Sequence, residues 1–308
     1  MAPVFGPRLQ VACLGDLPLE NGQAVQGCHV GYRTFGRLDA KRSNAVLLIP
    51  WFMGRSGELV RHVGPRRMVD SSRYFVVAVD ALGNGVSTSP SNSQAQPGQA
   101  FPMYSVRDQV EAQYRLLTRV LGITHLRAVI GTSFGGMQVF QWITTHAEFM
   151  DRAVAVVASP RILPEERCRW LEGAGAVVAE SRLRRAARAL GGGQPLGALR
   201  ALRDHPVDQA RQAECLASTD VTAAFGGSLE RAAAEIRALT LVVVSQVDET
   251  VNPGPATEFA RLAGARLLEL DGRFGHDAPA RQKETLWPAI DQFLTERCTE
   301  GPLPPGEQ

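Results

Sequence analysis

The sequence predicts an α/β protein in which a mostly parallel sheet has helices on both faces and receives an inserted helical segment. Three observations support this fold class. Short, continuous apolar runs alternate with helical stretches, which is the pattern of a parallel sheet. A serine lies at a sharp boundary between one such run and a helix. The strand-like runs stop at residue 160 and resume near residue 239.

The first part of the chain predicts four strands and a helix. Residues 9–38 contain two strands, and the alternation of apolar and polar residues over 30–36 is typical of an edge strand. Ala45–Pro50 and Tyr74–Asp80 are continuous apolar runs, as in strands that are buried on both faces. A helix is predicted over Val106–Leu121, because four apolar residues fall on one side of it. They are Val110, Tyr114, Leu117 and Leu121.

The pentapeptide Gly131–Gly135 contains Ser133 between the apolar strand Leu126–Gly131 and a helix that opens at Gly136. A strand, a sharp turn, a serine and a helix together make the nucleophile elbow of an α/β-hydrolase. The turn holds the serine in a strained conformation, and the flanking glycines let the strand and the helix approach without Cβ clashes. The sequence therefore predicts the α/β-hydrolase fold, with Ser133 as the nucleophile.

The second part of the chain interrupts the strand pattern and then restores it. Arg152–Pro160 predicts a strand after the elbow helix. Residues 161–234 contain no strand-like run and are rich in Ala, Arg, Leu and Glu, so they predict a helical insert with a break at Gly191–Gly193. Strands resume with Leu239–Asp248 and Ala265–Asp271.

This order predicts a core formed by residues 1–160 and 235–300, with 161–234 as a helical cap over the serine. A last helix is predicted from about Ala280 to Arg297. The tail 301–308 contains three prolines and two glycines and is predicted to be disordered.

A serine hydroxyl becomes a useful nucleophile only beside a base that a carboxylate orients. His276 follows the last predicted strand, at the carboxyl edge of the sheet where this fold presents its base. Asp248 ends an earlier strand at the same edge, although a surface histidine and a turn aspartate are the ordinary interpretations of such positions. Asp271 is the rival carboxylate, whereas Asp80 precedes the serine and does not fit the order nucleophile, acid, base.

The tetrahedral intermediate of acyl transfer needs two backbone N–H donors. We expect one from Phe134, the residue after the nucleophile, and the other from Phe52 in the loop that follows Ala45–Pro50. Trp51 and Met53 of the same loop are expected to line the substrate pocket. The insert is expected to add Trp170, with structural packing as an equal alternative for its apolar residues, which include Leu171, Val177 and Val178.

Composition narrows the class of protein. The chain has 308 residues, a net charge of +2 and 44% hydrophobic residues. Such a small net charge gives no reason to expect nucleic-acid binding. No apolar run approaches the roughly 20 residues of a membrane span. Five cysteines without CxxC spacing argue against a disulfide framework or a zinc site. With no signal-peptide pattern, the expected location is the cytoplasm.

Five segments outside the insert share one further pattern. They are Tyr32–Gly36 with Asn44–Leu48, Phe101–Asp108, Gly135–Gln138 with Gln141 and Trp142, Asp248 with Pro253, and Gly275–Asp277. Together they resemble the homoserine O-acetyltransferase family of α/β-hydrolase-fold enzymes. The resemblance implies Ser133 as the acyl-enzyme nucleophile, His276 as the base and Asp248 as its partner.

The chain departs from that family at two places. The loop Leu82–Pro90 replaces a Gly-Ser-Thr-Gly-Pro-like loop, and the insert is short for a family that uses a longer lid to bind acyl-CoA and homoserine. A transferase must exclude water from the acyl-enzyme, which a shorter lid does less well. The sequence therefore favours an acyl-ester hydrolase, with an acyl-CoA-dependent O-acyltransferase as the alternative. No cofactor or metal is expected. A homodimer is one of the oligomeric states that the sequence allows.

Other interpretations carry less weight. Arginines of the insert are candidates for binding CoA phosphates or an acidic substrate, but a solvated helix face is the simpler explanation. They are Arg167, Arg169, Arg182, Arg184, Arg185, Arg188, Arg200 and Arg203. The Gly83–Gly85 loop lacks the G-x-G-x-x-G spacing of a phosphate-binding turn. A non-catalytic binding protein would have no need for all three residues of the triad.

Overall fold

In the computed structural model, residues 7–189 and 205–296 are described, and for 177–189 only the course of the helix is described. Eight strands of these residues form one sheet in the order β1-β2-β4-β3-β5-β6-β7-β8. The strands are β1 (Gln10–Pro18), β2 (Ala24–Phe35), β3 (Ala45–Ile49), β4 (Phe75–Val79), β5 (Leu126–Thr132), β6 (Met150–Val156), β7 (Leu239–Ser245) and β8 (Arg266–Leu270).

Strands β3 to β8 are parallel to one another, and β1 and β2 extend the sheet in antiparallel pairing. The prediction of an edge strand over 30–36 is wrong, because β2 pairs with both β1 and β4, and β1 forms the edge. Residues 30–32 are buried and 33–35 are half-buried, so the alternation of residue types does not correspond to an unpaired edge.

The described helices lie in the connections between strands and after the last strand. They are α1 (Ser56–Leu59), α2 (Val106–Arg115), α3 (Phe134–Thr145), α4 (Pro164–Ala189), α5 (Pro206–Ala217), α6 (Leu229–Ala234), α7 (Gly254–Leu262), α8 (Ala278–Arg281) and α9 (Lys283–Thr295). Of these, α4, α5 and α6 belong to the insert. A π-helical turn at Leu116–Val120 continues α2. Among the described helices, none combines the length and the apolarity that crossing a membrane requires.

The predicted last helix is two helices, α8 and α9, separated at Gln282. The backbone of Gln282 is not helical, with φ −119° and ψ 43°. Its side chain accepts a hydrogen bond from the backbone N–H of Asp271 and donates one to the Asp271 carbonyl, each at 2.9 Å. These two bonds join the break between the helices to the loop that carries His276.

Alternate residues of the central strands enter two hydrophobic clusters on opposite faces of the sheet. On β3, Leu47 and Ile49 belong to one cluster, and Val46 and Leu48 belong to the other. All five residues of β3 are buried, as expected for a parallel strand covered on both faces. The predicted α/β-hydrolase fold class is confirmed, and the six parallel strands direct their carboxyl ends to one edge.

The described part of the insert 161–234 is helical, and its only strand-like feature is an isolated bridge between Arg161 and Asp220. Helix α4 packs against α5, and Trp170 of α4 contacts Phe52 of the loop after β3, with ring centroids 5.2 Å apart. The predicted break at Gly191–Gly193 and the tail 301–308 lie outside the described residues.

Candidate active site

Ser133 lies at the tip of the turn between β5 and α3. Its backbone has φ 54° and ψ −120°, a region that residues with a Cβ rarely adopt. The strained residue is held on both sides, because its N–H donates to the Val156 carbonyl at 2.8 Å and its carbonyl accepts from the N–H of Met137 at 3.0 Å. The turn therefore fixes the direction of the hydroxyl before any substrate arrives.

Glycines after the serine allow the helix to pack closely on the sheet. A Cβ on Gly135 would lie 2.5 Å from the carbonyl oxygens of both Ile49 and Pro50. A Cβ on Gly136 would lie 2.5 Å from the Cβ of Ala158. Helix α3 can begin directly above the ends of β3 and β6 only because these two side chains are absent.

We expect Gly135→Ala to lower the free energy of unfolding by about 2–4 kcal/mol, because the new methyl group meets two backbone oxygens that cannot move independently. Urea unfolding with and without the substitution measures the effect. Gly173→Ala is the matched control, since no atom lies within 4 Å of a Cβ at this position in α4. The control should gain up to about 1 kcal/mol from helix propensity. Equal unfolding midpoints for the two variants would contradict the tight packing of the elbow.

The structure brings the side chains of Ser133, His276 and Asp248 into one hydrogen-bonded chain. The hydroxyl of Ser133 lies 2.9 Å from Nε2 of His276, and Nδ1 of His276 lies 2.6 Å from Oδ2 of Asp248. A neutral imidazole that donates from Nδ1 to the carboxylate leaves Nε2 free to accept the serine proton. This is the arrangement of a nucleophile, a base and an orienting acid.

The carboxylate of Asp248 is itself held in place. Its side chain is 2% exposed, whereas that of His276 is 25% exposed. Oδ1 of Asp248 accepts hydrogen bonds from the backbone N–H groups of Thr250 and Val251, at 2.9 and 3.0 Å. These bonds leave Oδ2 for the imidazole, so the turn after β7 sets the orientation of the ring.

The rival carboxylates have other partners. Asp271 accepts hydrogen bonds from the backbone and the guanidinium of Arg273, which hold the pKa of this exposed carboxyl below its ordinary value. Asp80 is buried and accepts from the backbone and the hydroxyl of Ser56, at 2.8 and 2.6 Å, and from Asn84. Neither of them contacts His276 by any described hydrogen bond.

The two expected oxyanion donors lie at the start of α3 and in the loop after β3. Phe134 is the first residue of α3, where a backbone N–H has no acceptor within the helix. Phe52 lies in a turn closed by a 2.9 Å hydrogen bond from Gly54 to Trp51. The next N–H, that of Met53, donates to the side chain of Gln212 on α5. Helix α5 of the insert therefore supports the loop that carries Phe52.

A cavity of about 440 Å³ opens at Ser133 and His276. Trp51, Phe52 and Trp170 line it, as the sequence predicted for a pocket in this region. Met53 does not line it, because its backbone turns to φ 56° and its side chain is buried away from the cavity. Leu171 is exposed and also does not line the cavity, and the side chains of Val177 and Val178 lie outside the described residues.

Several residues that line the cavity could not be predicted from the sequence. Arg61 and His62 follow α1, and Lys283, Leu286 and Trp287 lie on α9. The two segments are more than 200 residues apart, and neither carries a recognisable motif. Only the packing of α9 beside the loop after β3 places them on the same cavity.

The Gly83–Gly85 loop is not a phosphate cradle. Its backbone N–H groups donate within the loop, to Thr88, Ala81 and the hydroxyl of Ser89. A Cβ on Gly83 would overlap the hydroxyl of Tyr104, and the backbone there has φ 79°, so the glycine serves close packing. With its N–H groups already paired, the loop has none to offer an anion.

The described arginines of the insert do not line the cavity. Arg167 and Arg169 are exposed, and a guanidinium nitrogen of Arg169 donates to the carbonyl of Glu249 at 3.2 Å. The side chains of the remaining insert arginines named above lie outside the described residues. No group of three or more His, Cys, Asp or Glu side chains within 7–176 and 205–296 is placed to bind a metal ion.

Comparisons with known proteins agree with the α/β-hydrolase fold. A family model described as the alpha/beta hydrolase fold matches residues 44–174. A probable esterase of Corynebacterium glutamicum is 34% identical over 54% of this chain and 48% of its own length. An ethyl acetate hydrolase of Pseudomonas veronii is 37% identical over 48% of this chain and 43% of its own. The chain thus spans less than half of the length of these relatives.

Transferases are also among the proteins that this chain is similar to. A homoserine O-acetyltransferase of Methanococcoides burtonii is 30% identical over 54% of this chain and 38% of its own length. An acetylester hydrolase of Corynebacterium glutamicum, known as a crystal structure, superposes with a TM-score of 0.81 at 25% identity. That superposition covers 93% of this chain and 95% of the other. The resemblance to the homoserine O-acetyltransferase family is confirmed, and esterases share it.

Proposed function

We propose that this enzyme of the α/β-hydrolase fold is a serine-dependent hydrolase of small acyl esters. The observation that carries the proposal is the hydrogen-bonded chain Ser133–His276–Asp248 at the wall of a cavity. A chance grouping of these side chains would not also place the serine on a strained turn with the base on its open side.

The geometry supports a two-step reaction. As the Ser133 oxygen bonds to the ester carbonyl carbon, its proton passes to Nε2 of His276. The carbonyl oxygen becomes an oxyanion, and the backbone N–H groups of Phe134 and Phe52 are the proposed donors to it. The C–O bond to the alcohol then breaks, and the alkoxide takes the proton from His276. Water repeats these steps on the acyl-enzyme and releases the acid.

Asp248 has an electrostatic role in both steps. Its carboxylate accepts a hydrogen bond from Nδ1 of His276, which fixes the tautomer and stabilises the imidazolium formed when the serine proton arrives. Because Asp248 is buried and bonded to two backbone N–H groups, it stays oriented throughout the reaction.

Hydrolysis fits the described site better than transfer. Among the described insert residues, Trp170 is the one that lines the cavity. Acyl transfer needs a bound acceptor that outcompetes water at roughly 55 M. Two of the relatives are an ethyl acetate hydrolase and a probable esterase, which supports hydrolysis as the outcome. An acyl-CoA-dependent O-acyltransferase is the second candidate, because transferases are also among the relatives.

A product assay decides between the two functions. We expect short-chain p-nitrophenyl esters to be hydrolysed without an added acceptor, and acetyl-CoA to be a poor donor. Homoserine or serine should not change the rate or divert the acyl group. If acetyl-CoA is consumed only when homoserine is present, and free acetate stays low, the protein is a transferase.

A cytoplasmic location and a homodimer remain predictions from the sequence. Gel filtration with light scattering tests the second of them. The proposed substrate is a small molecule in either case.

A further inference from the structure

The cavity has a second wall that the proposed reaction does not use. This cationic wall consists of Arg61, His62, Lys283 and the rings of Trp51 and Trp287, all of which line the cavity. The ring of His62 lies between the two tryptophans, with centroids 5.9 Å from each. The guanidinium carbon of Arg61 lies 6.0 Å from the Trp51 centroid, and Nζ of Lys283 lies 5.8 Å from that of Trp287.

The two cations of this wall lack acidic partners. Within 7–176 and 205–296, neither Arg61 nor Lys283 forms an ion pair, although other basic residues there do, such as Arg73 with Asp291 and Arg115 with Glu111. Each cation instead faces an aromatic ring, which attracts a cation and does not neutralise it. Their N–H groups therefore remain available to an anion in the cavity.

His62 provides a polar group at the same place. Its Nδ1 is buried, and the backbone of Glu58, four residues earlier, offers a hydrogen bond to the ring. Burial, together with the charges of Arg61 and Lys283, lowers the pKa of His62 to about 4. The ring is therefore neutral near pH 7, and it adds no third charge that would need a counter-ion.

We propose that the cationic wall is a subsite for a carboxylate, so that the preferred substrates are small esters that carry a free carboxylate group. The inference rests on the proposed esterase function. The carboxylate would accept hydrogen bonds from Lys283 and Arg61, while the apolar body of the ester packs on Trp51 and Trp287.

Charge and size agree with this assignment. Among the described residues that line the cavity, Asp277 alone carries a carboxylate, and it is exposed and adjacent to His276. Arg61 and Lys283 outnumber it, so the cavity has a net positive charge at neutral pH. A volume of about 440 Å³ accommodates a short ester with a terminal carboxylate beside the serine.

The test compares esters that differ only in charge. In one arm, mono-4-nitrophenyl glutarate is compared with its carboxamide analogue, so the acyl group carries the carboxylate. In the other arm, O-acetyl-3-hydroxypropanoate is compared with its carboxamide, so the alcohol carries it. We expect kcat/KM to be about tenfold or more higher for the carboxylate ester in one arm. The ratio of kcat/KM for the carboxylate ester to that for its carboxamide should decrease when NaCl is raised from 0.05 to 0.5 M, because salt screens the attraction.

Substitutions in the cationic wall test whether it causes the preference for the carboxylate ester. Lys283→Gln and Arg61→Gln should each lower the carboxylate-to-carboxamide ratio of kcat/KM about three- to tenfold. Arg281→Gln is the matched control, because Arg281 ends α8 two residues before Lys283 and does not line the cavity. It should leave both esters and their ratio unchanged.

The outcomes separate this inference from the proposed function. A ratio below about threefold in both arms, or a ratio that neither variant lowers, overturns the carboxylate subsite. If the carboxamide esters are nevertheless hydrolysed through Ser133, the esterase function stands. If no ester of either kind is hydrolysed, the proposed function itself fails.

Discussion

Ser133→Ala should lower turnover of a short-chain ester by about 10³-fold or more, and the folded structure should remain. The alanine removes the oxygen that bonds to the acyl group, so only binding and the oxyanion donors can assist water. The substitution removes one hydrogen bond to His276 and leaves the backbone bonds of the turn in place. Initial rates with p-nitrophenyl acetate, and circular dichroism of the variant, measure the two expectations.

A serine-directed phosphonate provides an independent test of the same residue. The adduct should map to Ser133 in the unmodified chain and should be absent from Ser133→Ala. Ser72→Ala is the control, because Ser72 is exposed and its described hydrogen bonds are to Asp70. Full activity in Ser133→Ala, or an adduct on another serine, would exclude the elbow serine as the nucleophile.

Asp248→Asn should lower kcat by about 10³- to 10⁴-fold with little change in KM. An amide at this position has one oxygen and one NH₂ group, and the buried Oδ1 site already receives two backbone N–H donors. The amide oxygen is therefore expected to take that site, and the NH₂ group would then face Nδ1 of His276. The ring would have to present its proton from Nε2, which removes the acceptor that the serine needs.

Asp271→Asn is the matched control for that substitution. Asp271 is five residues from His276 in the sequence, but it is exposed and bonds to Arg273. We expect kcat within about twofold of the unmodified enzyme. Steady-state kinetics of both variants under one set of conditions decides the matter. A large loss in Asp271→Asn with a small one in Asp248→Asn would reverse the assignment of the acid.

Local signals predicted most of the sheet. Continuous apolar runs predicted the strands β3 to β7, because a strand buried on both faces cannot contain many polar residues. The same reasoning failed for β2, where alternation was taken to mean an edge. It also failed at Gln282, where a helical pattern continues through a break that side-chain hydrogen bonds to Asp271 stabilise. Such long-range bonds leave no trace in periodicity.

The substrate cavity was predicted less well than the strands. Trp51, Phe52 and Trp170 were expected near the serine because of their places in the loop after β3 and in the insert. Met53 belongs to the same loop but is buried, since its direction depends on a local turn and on Gln212 of a distant helix. Residues far apart in the sequence, such as His62 and Trp287, became neighbours only through the packing of α9.

The sequence by itself determined the fold class and the three side chains proposed for catalysis. Ser133, Asp248 and His276 each follow a strand of a parallel sheet, and parallel strands end at one edge, so their order along the chain already implies that they meet. Only the tertiary structure shows that Oδ2 of Asp248 faces Nδ1 of His276 and that Asp271 bonds to Arg273. It also shows two cations on the cavity wall that form no ion pair with a described residue. Those features depend on distances of a few ångströms between segments that only the packed fold brings together.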